Sequence, residues 1–352
     1  VSNTFEKTQV AGYESLNWKD CYEKAAYYAG IIMGRNPDVS YGTYRLLSFD
    51  ELWKKSGFDE SEHMFSVRTR SADEEYGNGV HQWYCGMQDA GGVLQKGPWV
   101  GNRFHWYCLF DNEDYRITKG VKHRFQYDSQ VKNGRGYYYP GTPEYKLMAT
   151  GKNMDDVKVQ EPVAPFNDGL TYTNSISSNC LAFTTKYADV TDPTIGRTDA
   201  YWPFLRYADI VLIYAEAQCE LNDGISQDAI DALNDIRIRS NAKEASVTGD
   251  GAIETKVELR SVIFEERAKE LAYEGDRRWD LLRWGIYLDV MNSLGGINED
   301  GTRTPYDEGS INKRREFRHL LYPLPSLEVS TNMAIDKIIR AGTKPYVQPN
   351  NL

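Results

Sequence analysis

Long apolar runs are missing from this sequence. Hydrophobic residues make up 41% of its 352 positions, yet no stretch approaches the roughly 18 consecutive apolar residues of a membrane span. Positive charge is scarce too: 41 Lys and Arg face 51 Asp and Glu, a net charge of −10. Surfaces that track phosphates need clustered cations, so nucleic acid is not an expected partner. The five cysteines (Cys21, Cys85, Cys108, Cys180 and Cys219) are odd in number, widely spaced and without a CxxC pair. They signal neither a disulfide framework nor a zinc site, and each is expected to be a small buried hydrophobe. His63, His81, His105, His123 and His319 form no HExxH and no i, i+4 pair, so no metal is expected. The sequence has no GxGxxG, no GxxxxGK(S/T) and no GxSxG. Dinucleotide, nucleoside-triphosphate and serine-hydrolase chemistry therefore lack their usual marks, and no cofactor is expected. The chain opens Val1-Ser2-Asn3-Thr4, with no Met, charged n-region or apolar h-region, so no targeting segment is expected within it.

Helical periodicity and aromatic rings are what the sequence does contain. Asn17 can cap a helix over 17–33 with Asp20 at its N3 position, and Trp18, Tyr22, Ala25, Ala29 and Ile32 fall on one stripe that Gly34 ends. From 35 to about 200 the texture becomes Gly, Pro, Asn and aromatics, which predicts loops with short strands. Periodicity returns over 204–221, where Phe204, Ala208, Val211, Ala215 and Cys219 share a face. Ser226 can cap a following helix with the stripe Ala229, Leu233 and Ile236. The two together read either as a tetratricopeptide-like pair or as a generic helical hairpin. Thr255 to Glu258 has the spacing of a capping box, and a further short helix is expected from Gly285 to about Ser293. The Pro-punctuated tail, with Tyr322-Pro323-Leu324-Pro325, cannot be helical there.

The charged run 266–285 asks whether it is catalytic or structural. On a helix Glu266, Glu270 and Glu274 are successive i, i+4 neighbours and would repel. Arg267, Arg277, Arg278 and Arg283 lie within a few turns, and planar guanidiniums suit bidentate carboxylate pairing. Gly275 can break the helix and fold the arginines back toward the glutamates. An ion network is the expectation from the residues alone.

The same residues, Glu266, Arg267, Glu270, Leu271, Glu274, Gly275, Arg277, Asp280, Leu281, Arg283, Trp284 and Gly285, resemble the signature of the SusD/RagB nutrient-binding lipoproteins of the Bacteroidetes outer membrane. Ala268 stands where that signature has a second Arg. Arg206-Tyr207-Ala208-Asp209 through Ala215-Glu216-Ala217, with Asn234 and Arg237, resembles a second family block, and Tyr322 to Pro325 with Glu328 and Asn332 resembles its ending. Met333 replaces the usual Pro. The resemblance implies a mainly α fold in which tetratricopeptide-like helix pairs form a scaffold for a large loop-rich region with short strands. It implies one such domain over 1–352, with scaffold at 14–34 and 201–293, a ligand-facing region at 35–200 and an irregular tail at 294–352. It also implies glycan capture at the cell surface for a SusC-like TonB-dependent transporter, by a protein attached to the membrane through a lipid anchor that this chain lacks. The family's N-terminal part, with that lipidated cysteine, is expected to be absent. In the resemblance the charged run is scaffold.

Function then falls to the loop-rich region. His81-Gln82-Trp83-Tyr84, Pro98-Trp99, His105-Trp106-Tyr107 and Tyr137-Tyr138-Tyr139 are its aromatic clusters. Flat rings stack on the C–H faces of sugars while amide, carboxylate and guanidinium groups bind hydroxyls. Trp83, Tyr84 and Trp99 are the candidate rings, because Gly77, Gly79, Gly97 and Gly101 surround the two tryptophans; Gln82, Asp89, Asn102 and Arg103 are the candidate polar groups. Any one of these rings could instead be a core aromatic beneath a long loop. Trp106, beside Leu109 and Phe110, and Trp202 read as core. Other readings stay open: peptide binding in the manner of RagB-like relatives, a helical-repeat adaptor, or a glycoside hydrolase using acids such as Asp73-Glu74-Glu75 and Asp111 to Asp114.

Overall fold

The computed structural model describes residues 16–37, 39, 41, 43–59, 61–71, 76–101, 106, 109–111, 113–138, 170–174, 183–293, 315, 317–320, 322 and 331. Its longer helices are α1 (Trp18–Ile32), α2 (Val80–Cys85), α3 (Tyr207–Leu221), α4 (Gln227–Arg239), α5 (Lys256–Glu270), α6 (Arg277–Arg283) and α7 (Tyr287–Ser293). The strands are short: β1 (His63–Val67), β2 (Met87–Gln88), β3 (Leu94–Lys96), β4 (Val121–Lys122), β5 (Arg124–Phe125), β6 (Arg135–Tyr138), β7 (Thr171–Asn174), β8 (Phe183–Thr184) and β9 (Trp202–Arg206). They form antiparallel pairs β1–β9, β2–β3 and β4–β8, and a three-stranded sheet β5–β6–β7 whose last pair is parallel. The chain is thus helix-rich with several small sheets, the class its sequence resembles.

The helix ends follow from side-chain chemistry. Asn17 Oδ1 accepts the Lys19 amide at 2.9 Å to start α1, and Ser226 Oγ accepts the Ala229 amide at 3.2 Å to start α4. At α5, Thr255 Oγ1 accepts from Glu258 N at 3.2 Å while Glu258 Oε2 accepts from Thr255 N at 3.0 Å, so two orphan donors are satisfied reciprocally. Helix α3 is the hub: α1, α4 and α5 all pack on it. It is apolar on most sides, with Ala208, Val211, Leu212, Ala215 and Cys219 buried, which is how a helix surrounded by other helices reads. Cys85 is buried as expected, whereas Cys21 is exposed on the outer side of α1.

Helix α3 begins at Tyr207 rather than near 204. Residues 202–206 form β9 instead, paired with β1, and Phe204 stands on the outer face of that ribbon, exposed beside Phe65 at 5.7 Å. Strict alternation would put Arg206 on the same face as Phe204; the register shifts in the β1–β9 ladder break it, and Arg206 is buried, with buried carboxylates to satisfy.

The charged run is a buried ion network, though its pairs differ from those expected. Helix α5 ends at Glu270, so Glu274 lies in the following turn, which Gly275 closes at φ +103°. Arg206 donates to Glu62 at 2.6 Å, Glu270 at 3.1 Å and both oxygens of Glu274 at 2.7 and 2.8 Å. Arg239 joins Glu62 and Glu270, Arg116 and Arg237 hold Glu266, and Lys186 reaches Glu274. Arg267 pairs with Asp209 and Asp280, and Arg283 with Glu216 and Asp280. Arg277 and Arg278 go to the carbonyls of Phe264 and His319. Glu266 and Glu270 of α5 are therefore neutralised from β9, from α4 and from the one-turn helix Tyr115–Thr118 that carries Arg116. Burial alone would raise the Glu270 carboxyl, but the guanidiniums of Arg239, Arg206 and Arg116 outweigh it and hold it well below the usual carboxylate range.

Candidate functional site

Helix α2 is a short turn-and-a-half set between two glycines. Its inner side carries His81 and Cys85, both buried. His81 Nδ1 donates to the Tyr187 carbonyl at 2.7 Å, and the Cys85 thiol donates to the Thr184 carbonyl at 3.2 Å, which fixes α2 on the segment from β8 onward. Burial pushes the His81 imidazole below its ordinary pKa, consistent with a neutral ring. Sequence reasoning placed His81 in an aromatic cluster and weighed it as a metal ligand. Its i, i+4 spacing from Cys85 is the signal of an inward face.

Trp83 consequently stands on the outer side of α2. Its indole folds back over Gly79: a Cβ there would come within 2.8 Å of Cε2, so only glycine admits the ring. The chain then runs out and back through the β2–β3 hairpin and returns beside its own start. There the amides of Trp99 and Val100 both donate to the Trp83 carbonyl, at 2.9 and 3.0 Å. This brings the two indoles together, ring centroids 6.4 Å apart and planes within 26°. Trp83 is 42% exposed and Trp99 73%. Two large, nearly parallel rings are thereby left partly open to solvent.

The other expected site residues fall differently. Gln82 is half-buried on the same turn, against Gly196. Tyr84 is half-buried and packs inward: it meets Tyr187, Trp202 and Tyr273 at 5.3, 6.1 and 5.7 Å, and burial raises its phenol pKa. Being next to Trp83 on a helix turns it about 100° away from the open face. Asp89 Oδ1 accepts the Gly91 and Val93 amides at 2.8 and 2.9 Å, closing the loop between β2 and β3. Asn102 and Arg103 lie outside the described residues, as do His105, Tyr107, Tyr139 and Asp73 to Glu75. Trp106 donates Nε1–H to the Ala268 carbonyl at 2.8 Å and meets Phe110 edge-on, and Trp202 stacks on Tyr187 at 5.6 Å. Neither joins the open platform. Among the described residues no group of three or more His, Cys, Asp or Glu is placed to hold a metal ion.

Residues 88–340 match the sequence model of the SusD family, and the chain belongs to that family. SusD-like protein P38 of Formosa agariphila is 36% identical over 135 residues, which is 37% of this chain and 24% of that protein. A SusD homolog of Bacteroides thetaiotaomicron superposes with a TM-score of 0.57 at 20% identity, over 90% of this chain and 58% of that one. Surface glycan-binding protein A of the same organism, solved in complex with laminarihexaose, superposes with a TM-score of 0.55 at 18% identity, over 90% and 59%. The matched regions amount to less than two thirds of each of these relatives.

Proposed function

We propose that this chain binds a glycan at the cell surface without transforming it, the Trp83–Trp99 platform stacking on the sugar rings. The observation that carries this reading is the pair of exposed, nearly parallel indoles held together by the two amide bonds to the Trp83 carbonyl. Exposed apolar rings are costly to keep in water, and sugars present matching C–H faces with hydroxyls at their rims. The laminarihexaose complex of the structural neighbour supports the same ligand class. Delivery to a SusC-like TonB-dependent outer-membrane transporter is part of the proposal and rests on family membership. Attachment to the membrane would be by a lipid anchor; among the described residues no helix is long and apolar enough to cross a membrane.

A non-catalytic role is supported by the fate of two of the described acids. Asp89 Oδ1 closes a turn, and Asp114 is buried against Arg116, so neither is shown facing a second carboxyl across a cleft. Isothermal titration with plant, host and microbial polysaccharides tests the reading. Saturating heats with one of them are expected. Heat that goes on in proportion to time after each injection would mean turnover and overturn it.

A further inference from the structure

Trp83 and Trp99 are not the only large rings left open. On the C-terminal side of the helical core, Trp279 of α6 is 56% exposed and Tyr322 is 61% exposed, with ring centroids 5.9 Å apart and planes at 51°. The corner they make is stiffened from behind. The Arg278 guanidinium lies 4.7 Å from the Tyr322 ring centroid and 4.9 Å from that of Tyr287, while its Nη1 donates to the Tyr287 hydroxyl at 2.8 Å and its Nη2 to the His319 carbonyl at 2.9 Å. A cation held by two rings and two hydrogen bonds keeps the corner in one geometry. Rings fixed in advance lose little freedom when something docks on them.

We propose that Trp279 and Tyr322 form a second carbohydrate-stacking site, which grips a further stretch of the same polymer that the Trp83–Trp99 platform holds. This inference rests on the glycan-binding reading above. The size of the corner selects the occupant. Aromatic residues bury roughly 150–250 Å² each, so two rings little more than half open offer on the order of 250 Å². A stable protein interface needs about 800 Å² per partner, whereas one or two sugar units cover a surface of the smaller size. Both rings also carry a polar edge, an indole N–H and a phenol O–H, suited to hydroxyl-rich ligands. The exposed pair Phe65 and Phe204 on the β1–β9 ribbon lacks such edges and is not assigned to sugar.

Two sites on one chain act together only on a ligand long enough to reach both, so the gain belongs to polymers and not to short oligosaccharides. The test compares laminarin, starch, xylan, pectin and host mucin glycans with hexasaccharides released from each, by titration calorimetry. The variants are Trp279→Ala, Trp279→Phe, Tyr322→Ser and the double variant Trp83→Ala/Trp99→Ala. For the polymer that binds, Trp279→Ala and Tyr322→Ser are expected to weaken affinity about tenfold, near 1.4 kcal/mol, and to leave the hexasaccharide affinity unchanged. Trp279→Phe keeps a ring and is expected to restore most of the loss. Equal polymer affinity for the parent protein and Trp279→Ala, with binding lost in the double variant, would overturn this inference alone. Absence of binding to every polymer by the parent protein would overturn the glycan reading together with it.

Discussion

Trp83 is set by what lies under it: a glycine where a side chain would clash, and a histidine and a cysteine whose bonds hold the turn from below. Replacing Trp83 or Trp99 by Ala should therefore cost glycan affinity and not stability, about tenfold each, or ~1.4 kcal/mol. Titration checks the affinity, and an unchanged denaturation midpoint checks the fold. Both tryptophans were legible in the sequence, because glycines flank them on either side. Tyr84 was not, since the phase of a six-residue helix decides which of two adjacent rings faces out, and that phase comes from distant contacts with Tyr187 and Trp202. The turn role of Asp89 was equally open in the sequence, since a turn claims a carboxylate as readily as a ligand does. Asp276 makes a different prediction. Burial, followed by the charges of Asp209 and Glu274, raises its pKa to about 6. A carboxyl whose folded pKa lies above its unfolded value adds stability below the unfolded pKa and loses it as pH rises through about 6. Asp276→Asn should thus raise the denaturation midpoint at pH 7.5 and leave it little changed at pH 4.

At the scale of elements, the helices were readable and their partners were not. Caps at Asn17, Ser226 and Thr255 are local chemistry and lie where the sequence placed them. Thr255→Ala removes one half of a reciprocal pair and should cost about 1 kcal/mol in urea denaturation without touching ligand affinity. The ion network is the opposite case. Arg206 finds Glu62 across 144 positions of sequence, and Arg116 finds Glu266 across 150, so spacing alone pointed to the wrong arginines. The same demand explains why 202–206 is a strand: pairing with β1 turns Arg206 toward the glutamates. Arg206→Ala leaves Glu62, Glu270 and Glu274 short of a cation in a dry interior, and removing one partner of a buried pair typically costs 3–5 kcal/mol. A midpoint shift of less than ~1 kcal/mol would contradict a buried, cooperative network.

For the whole molecule, these groups set an acid limit. Glu216, Glu266, Glu270 and Glu274 all have carboxyl pKa values held down by buried cations against the opposing effect of burial. Depressed carboxyls contribute stability above an unfolded pKa of about 4.3 and lose it as pH falls through their folded values. His63 acts in the same direction. Burial lowers its pKa to about 4, so the fold is penalised progressively as pH drops below an unfolded value of about 6.5. Stability should be greatest near neutrality and fall steeply below about pH 4.5, read as the urea midpoint against pH.

The most direct test is a titration of the parent protein and of Trp83→Ala/Trp99→Ala with the polysaccharide that binds best, alongside their urea midpoints at pH 7. A platform built on an independent scaffold predicts at least about 100-fold weaker binding, the product of two tenfold losses, at an unchanged midpoint. Binding that survives the double substitution would contradict the platform. Binding lost only together with the midpoint would contradict the independence of the scaffold.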